Sequence, residues 1–436
     1  MRIQRVLKCS PLLCVVFAAW LLAATVARAG NTFTILHDFG NTGTDGIFPY
    51  SSPVVAGNSL YGTTEQGGSD LGGSMYQYNL STGIYSQNYG FTSAAQPSQP
   101  YAPPTYSGSV FYGTTFTGGS SNKGTIYQIN PDGSGYSLLY SFTGSATDGD
   151  APEFGALVIT SSSPTDTVMY GLAAGGGGTA NGGTLYKYDT ASSTLTDIHS
   201  FGSTASDGIE PEAGLAQSGT LLIGTTAGGG ANSGGTLFSY DMSSGDYQTL
   251  YNFGASSTDG NFVVTTPVVS GTIIYGATID GGAHGKGTLY SFDMSDDAYN
   301  ILYSFGSGPD DGTGPGPYKN GLLLVGSTLY GTTYGGGTDS YGSVFSYDLD
   351  DGVETVLHSF DVTDGLRPFG TLAMVGDTLY GTAQFGGTGL DANGVLYSIS
   401  VPEPASFSIL AAGSILLLSR RRSCFQLNRR ETTWKR

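Results

Sequence analysis

Glu153 and Glu212 each stand directly after a proline, Pro152 and Pro211, in segments that read alike. Two carboxylates held around one pocket are what a glycan hydrolase or lyase uses as general acid and base. Lys319 and Arg367 open comparable segments further along, so the four charges define a candidate site for a polar ligand or an ion. Solvated loop charges are the plainer alternative. Six Asp-Gly pairs, at Asp45, Asp148, Asp207, Asp259, Asp311 and Asp364, offer further oxygen. Calcium is one reading of them, although none sits among the dense alternating oxygen ligands of a calcium loop. The other is a turn in which the carboxylate accepts from the backbone and glycine supplies a positive φ. His37, His199 and His358 recur in similar strings far apart, and His284 lies in a glycine-rich stretch, a scatter that suits strand side chains better than metal ligands. Glycine runs such as Gly175 to Gly178 lack the Lys-Ser/Thr of a phosphate cradle. No serine, histidine and carboxylate stand out as a triad. The expectation is no catalytic residue, no metal and no cofactor, with calcium the one ion held open.

Positioning these residues requires a scaffold, and the composition limits which. Of 436 residues 70 are glycine, with 29 tyrosines and 21 phenylalanines, and only 11% are charged. No glycine recurs every third residue, which excludes collagen, and the aromatic content is ample for a core. The net charge of −18 hides a division. Between Gly30 and Ser400 the cations are Lys123, Lys187, Lys286, Lys319 and Arg367 against 32 acids, a balance of −27. Nucleic acid, which is bound by clustered cations, is excluded as a partner.

That central region repeats seven times. Tyr61-Gly62-Thr63-Thr64 returns as Tyr112-Gly113-Thr114-Thr115 and Tyr330-Gly331-Thr332-Thr333, with looser copies between and after. The anchoring glycines 62, 113, 171, 224, 276, 331 and 381 are spaced by 50 to 58 residues. A second string, as in Gly287-Thr288-Leu289-Tyr290, and a third, as in Ile301-Leu302-Tyr303-Ser304-Phe305-Gly306, also occur seven times. With the apolar segment before each tyrosine string, every period offers four strands, here called a (apolar), b (LYGTT), c (GTLYSYD) and d (LYSFG). Four short strands in about 50 residues is the arithmetic of a propeller blade. The first d string, around Phe33 to Phe39, precedes everything else, and the chain repeats end on the seventh c string at Val395 to Ile399. The predicted fold is therefore all-β, a seven-bladed β-propeller closed by the N-terminal strand pairing into the last blade. Such closure hides the end sheets' free edges. An open β-solenoid is the alternative. The b to c and d to a loops are the long ones, so one face of the ring is expected to be elaborated.

The LYGTT, GG and GTLY strings resemble the GloVer family, the Gloeobacter and Verrucomicrobium type of tandem repeat. The resemblance implies a secreted repeat protein with a variable anchor and brings no catalytic residues. At the N-terminus, Arg2, Arg5 and Lys8 precede an apolar run from Pro11 to Val26 and the triplet Ala27-Arg28-Ala29. This has the layout of a signal peptide spanning 1–29, cleaved after Ala29, with a retained anchor as the alternative. Cys9 and Cys14 would leave with it and Cys424 lies in the tail, so the 30–400 body has no cysteine for a disulfide or a thiol nucleophile. At the other end, Pro402-Glu403-Pro404, an apolar stretch from Phe407 to Leu418 and Arg420-Arg421-Arg422 fill a 401–436 segment. That order resembles the PEP-CTERM sorting signal of Gram-negative bacteria that make extracellular polysaccharide. The resemblance implies an exosortase as partner during export, cleavage near the Pro-Glu-Pro element and delivery to the cell surface or matrix. An apolar segment followed by arginines halts in the inner membrane with its positive end in the cytoplasm, and a plain membrane anchor is the alternative. The functional expectation is a non-enzymatic binding platform for exopolysaccharide or envelope proteins. A secreted hydrolase or lyase and a purely structural matrix component are the competing readings.

Overall fold

Tyr290 shows how the repeat builds a blade. It lies on strand c of blade 5, Thr288–Asp293, directly opposite Gly276 of strand b, Ile273–Thr278, in an antiparallel ladder. A Cβ on Gly276 would fall within 3.0 Å of the tyrosine ring. The glycine of the LYGTT string is therefore a slot for an aromatic ring from the next strand. The same slot receives Tyr76, Tyr127, Tyr186, Phe238, Phe345 and Tyr397 in the other blades. Strand a, Val268–Ser270, and strand d, Ala298–Ser304, complete the sheet in the order a-b-c-d. Glycines before strand c have a different reason: Gly73, Gly124, Gly183, Gly235, Gly287, Gly342 and Gly394 all adopt φ between 91° and 104°, closed to L side chains.

The structure, a computed structural model, describes residues 31–92, 97–153, 155–163, 166–308, 310–315, 321–388 and 393–401. Seven antiparallel sheets of this kind follow one another. Strands a of successive blades approach each other, which sets them around the axis with strands d outermost. In blade 7, strands a (Ala373–Val375), b (Thr378–Phe385) and c (Val395–Ser400) are completed by Thr32–Asp38, the first strand of the chain. The expected closure is thus present, and the ring is a seven-bladed β-propeller. Residues Phe33–Ile399 form one compact unit. Met1–Thr32 and Ser400–Arg436 cluster as another, of which only residues 31, 32, 400 and 401 are described. Ala27 and Ala29 of the expected signal cleavage site, and Pro402, Glu403, Pro404, Arg420, Arg421 and Arg422 of the expected sorting signal, lie outside the described residues. Among those described, no helix is long and apolar enough to cross a membrane.

The core is divided among the blade junctions. Tyr112, Ile126 and Phe142 of blade 2 pack with Leu157, Met169 and Tyr186 of blade 3, and Ile223, Leu237 and Phe253 of blade 4 with Val263, Ile274 and Tyr290 of blade 5. Each large side chain so buried contributes about 1.5–3 kcal/mol. A blade alone would leave both of its faces wet, so the ring is the stable unit.

Two devices beyond the sheets tie blades together, and the sequence indicated only one. The Asp of Asp-Gly is buried at Asp45, Asp148, Asp207, Asp259 and Asp311 and accepts from backbone N–H groups just after strand d, as from Gly40 to Asp45 at 3.0 Å. It also accepts from the ring of strand d, as from His37, and from the next blade, as from Tyr85 at 2.7 Å. His37 and Tyr85 stack at 3.5 Å, His199 and Tyr247 at 3.6 Å, and His358 and Phe33 at 3.9 Å. The histidines are indeed strand side chains. The glycine, however, does not generally supply positive φ: Gly46, Gly208, Gly260 and Gly312 lack it. A Cβ there would strike Thr64, Thr226, Thr278 or Thr333, so size is the constraint.

The second device is a clip. Phe48, Gln99, Ala151, Glu210, Phe262, Gly314 and Arg367, one per blade, all adopt φ between 53° and 61°. Each donates its N–H to the residue before the strand-c glycine of the preceding blade, from Phe48 to Asn393 at 2.9 Å through Arg367 to Tyr341 at 2.9 Å. A left-handed non-glycine residue costs about 1–2 kcal/mol. The hydrogen bond it completes between blades offsets about 1 kcal/mol of that. Just before this residue, short ladders such as Gly46↔Gly67, Gly208↔Gly229 and Gly260↔Gly281 join the d to a loop with the b to c loop. Both long loop sets therefore emerge on one face.

Candidate functional site: the channel mouth

The loop face is built over the residues that lead into strand a. Here successive blades touch: Gly214 donates its N–H to Thr266 Oγ1 at 2.8 Å and Gly321 to Thr371 Oγ1 at 2.6 Å. Glu153 and Glu212 are half-buried at the start of this rim in blades 3 and 4. Arg367 is exposed and stands at the clip position, the register of Glu210, so it does not match the two glutamates. Lys319 lies outside the described residues. Glu153 and Glu212 precede strand a of their blades, while Arg367 lines the cleft between blades 6 and 7.

The register after the proline carries more than the glutamates. Pro49-Tyr50, Pro100-Tyr101 and Pro368-Phe369 occupy the place of Pro152-Glu153 and Pro211-Glu212 in their own blades. Their rings form a connected arc. Phe116 meets Tyr101 with centroids 5.5 Å apart, Tyr101 meets Tyr50 at 5.1 Å, Tyr50 meets Phe369 at 4.8 Å and Phe369 meets Tyr334 at 5.6 Å. The arc crosses blades 2, 1, 7 and 6. On the other side, blades 3, 4 and 5 present Glu153, Glu212 and Val264 in the same register. In this register blades 1, 2 and 7 are aromatic and blades 3 and 4 acidic, while Val264 of blade 5 is buried against Ala227 and Ile279. The sequence signal for the arc, an aromatic after the proline in three repeats, was as legible as the glutamates but appears only when the repeats are set in register.

The hydroxyls of Tyr50 and Tyr101 stay neutral. Burial, then the Glu65 carboxylate, pushes Tyr50 up to about 12, and Tyr101 is raised by burial and by Glu65, to which its hydroxyl donates at 3.0 Å. Phe369 is buried and Tyr50, Tyr101, Phe116 and Tyr334 are half-buried, so the arc offers a ligand the exposed parts of four rings together with the uncharged hydroxyls of Tyr50 and Tyr101. Among the described residues no group of three or more His, Cys, Asp or Glu could hold a metal ion. The Asp-Gly carboxylates that calcium would need are engaged by donors of the chain itself, five of them around Asp148.

A closed ring of seven antiparallel blades with an aromatic and acidic mouth defines a β-propeller of the kind built from tandem repeats. The chain belongs to the Gloeobacter/Verrucomicrobia repeat family, whose model matches residues 23–172 and 264–414. No curated protein matches its sequence. Among solved structures it is similar to an oligogalacturonate lyase from Vibrio parahaemolyticus, with 12% identity, TM-score 0.48, and 85% of this chain and 94% of that one covered. A puromycin-hydrolysing peptidase from Mycobacterium tuberculosis gives 12% identity, TM-score 0.47, and coverage of 83% and 53%. TolB from Acinetobacter baumannii gives 12%, 0.37, and 78% and 79%. Likenesses at this level bear on neither activity nor ligand.

Proposed function

We propose that the protein is an exported component of the cell surface or matrix that binds glycan on the loop face of its propeller without turning it over. The observation that carries this is the arc from Phe116 to Tyr334, a row of rings at the channel mouth. Sugar rings present polarised C–H groups to such faces, and their hydroxyls suit the neutral phenols. The basic, apolar and small-residue layout of residues 1–29, and the Pro-Glu-Pro, apolar and arginine order after Val401, support export and sorting by an exosortase. Glu153 and Glu212, just before strand a in blades 3 and 4, supply polar groups that orient the ligand.

Calorimetry with soluble neutral oligosaccharides, on the wild type and on Tyr101→Ala, tests the reading. Truncating one ring of the arc is expected to weaken binding about tenfold, equivalent to about 1.4 kcal/mol. Affinity indifferent to Tyr101 removes the arc as the binding surface. New reducing ends or unsaturated sugars in the same mixtures would replace the platform with a hydrolase or lyase, for which Glu153 and Glu212 supply acid and base.

A further inference from the structure

Tyr334 belongs to the aromatic arc and also to a cleft of about 420 Å³ between blades 6 and 7, lined with it by Ser340, Tyr341, Leu366, Arg367 and Phe385. That size lies within the range of small-molecule sites. Arg367 dominates its chemistry. The guanidinium carbon sits 4.9 Å from the ring centre of Tyr334 and 5.7 Å from that of Phe385. Its backbone is pinned by the clip to Tyr341. A guanidinium laid over a ring keeps its N–H donors in its own plane, where they can meet a carboxylate two at a time.

The side chain is exposed, and among the described residues no carboxylate pairs with it. This is notable in a body with 32 acids and five cations. Lys123, by contrast, is bridged to Asp150 at 2.7 Å. An arginine oriented by two rings and, among the described residues, left without a counter-charge in a strongly acidic protein is a site for an anion supplied from outside. The surrounding groups specify what carries the anion. Tyr341 exposes 38% of its surface at the cleft, Ser340 adds a hydroxyl, and Tyr334 continues into the arc. Rings and hydroxyls in sequence suit consecutive sugar units.

We propose that this cleft is a subsite for a carboxylate-bearing sugar, in which Arg367 binds the carboxylate of a uronic acid residue while the neighbouring rings hold the polymer. The proposal rests on the reading of the loop face as glycan-binding and names the class of glycan.

A matched pair of ligands tests it: a β-1,4-linked glucuronic acid hexamer and cellohexaose, which differ only in carboxylate against hydroxymethyl at C6. Both are titrated into the full-length protein, wild type and Arg367→Gln. Glutamine already occupies the same left-handed clip position in blade 2, as Gln99, so the variant keeps its backbone; an unchanged thermal midpoint verifies this. The expected result is that the wild type binds the uronate hexamer about tenfold more tightly than cellohexaose and that Arg367→Gln abolishes the preference while leaving cellohexaose binding as it was. A wild type that binds both hexamers equally overturns the Arg367 subsite and leaves the glycan platform standing. Binding of neither overturns both. Poly-glutamate bound with the same dependence on Arg367 would make the occupant an acidic polypeptide and overturn the sugar assignment.

Discussion

Replacing Gly276 with alanine tests the principle on which every blade is built. The added methyl would lie within 3.0 Å of the outer end of the Tyr290 ring. That ring has no exposed surface and is packed on Phe253, centroids 5.1 Å apart, and Tyr299, 5.7 Å apart. It cannot swing aside without displacing the junction between blades 4 and 5. Overpacking of this kind costs about 1–3 kcal/mol. Alanine recovers about 0.5–1 kcal/mol of strand preference over glycine, which leaves about 0–2.5 kcal/mol of net destabilisation, centred on about 1 kcal/mol. For a unit as long as Phe33–Ile399 each kcal/mol lowers the melting temperature by about 1–2 °C, so a fall of about 1–3 °C is expected. Differential scanning calorimetry measures it, with Gly43→Ala as control, since a Cβ there meets nothing within 4 Å. Equal melting of Gly276→Ala and Gly43→Ala would refute the slot, and with it the account of why glycine recurs in the tyrosine string.

The remaining predictions concern the same junctions. Tyr290→Phe should be neutral or stabilising by up to about 1 kcal/mol, because the hydroxyl is buried without a partner and blades 4 and 6 already use Phe238 and Phe345; a clear loss of stability in urea unfolding would count against it. Phe33→Ala should cost about 2–4 kcal/mol by removing the stack on His358 and the edge contact to Phe360 that hold the closing strand, and limited proteolysis should then cut first in blade 7. Glu354 occupies the place from which Tyr85 and Tyr247 donate to Asp45 and Asp207, and both Glu354 Oε1 and Asp311 Oδ1 are buried without partners. Burial and then the charge of Asp311 raise Glu354 from 4.5 to about 7. A raised carboxyl gives stability that is full below its ordinary value and lost as pH rises through about 7. Glu354→Gln, an amide that donates at every pH, should therefore raise the melting temperature more at pH 8 than at pH 5; an equal shift at both would refute it.

How much of this was legible follows from what repetition records. Strand order and the displaced first strand could be read because each is a property of the string itself, and Thr32–Asp38 does complete blade 7. Strand a of blade 7 begins only at Ala373, because the residues before it are engaged by both neighbouring blades, Thr371 by Gly321 of blade 6 and Gly370 by Ser52 of blade 1. The clip was hard to see because its seven residues share a backbone angle and a main-chain hydrogen bond but no side-chain chemistry, and the proline that follows six of them reads as a plain loop signal. Phe, Gln, Ala, Glu, Phe, Gly and Arg have no common chemistry for a pattern to detect. The aromatic arc escaped for a related reason, since a ring in one repeat replaces a glutamate in another.

That variability is itself informative about where function resides. The strand-c glycine and the ring slot of every repeat, and the Asp of Asp-Gly in six of the seven, are held by local packing and hydrogen bonds, so substitutions there are paid in stability. The clip residue is held through its main chain, which lets its side chain vary in type from blade to blade even where, as at Phe48 and Phe262, it packs on its neighbours. The residue after the proline is similarly free to be Tyr, Glu, Val or Phe. Two concentric sets of positions around the channel mouth can therefore diversify while the ring stays constant. Binding specificity that evolved on this scaffold would collect at those positions, which are where Arg367, Glu153, Glu212 and the aromatic arc are found. A swap of only these side chains between two propellers of the family should transfer ligand preference and leave the melting temperature nearly unchanged; preference that followed strands b to d instead would show that the mouth is not where recognition occurs.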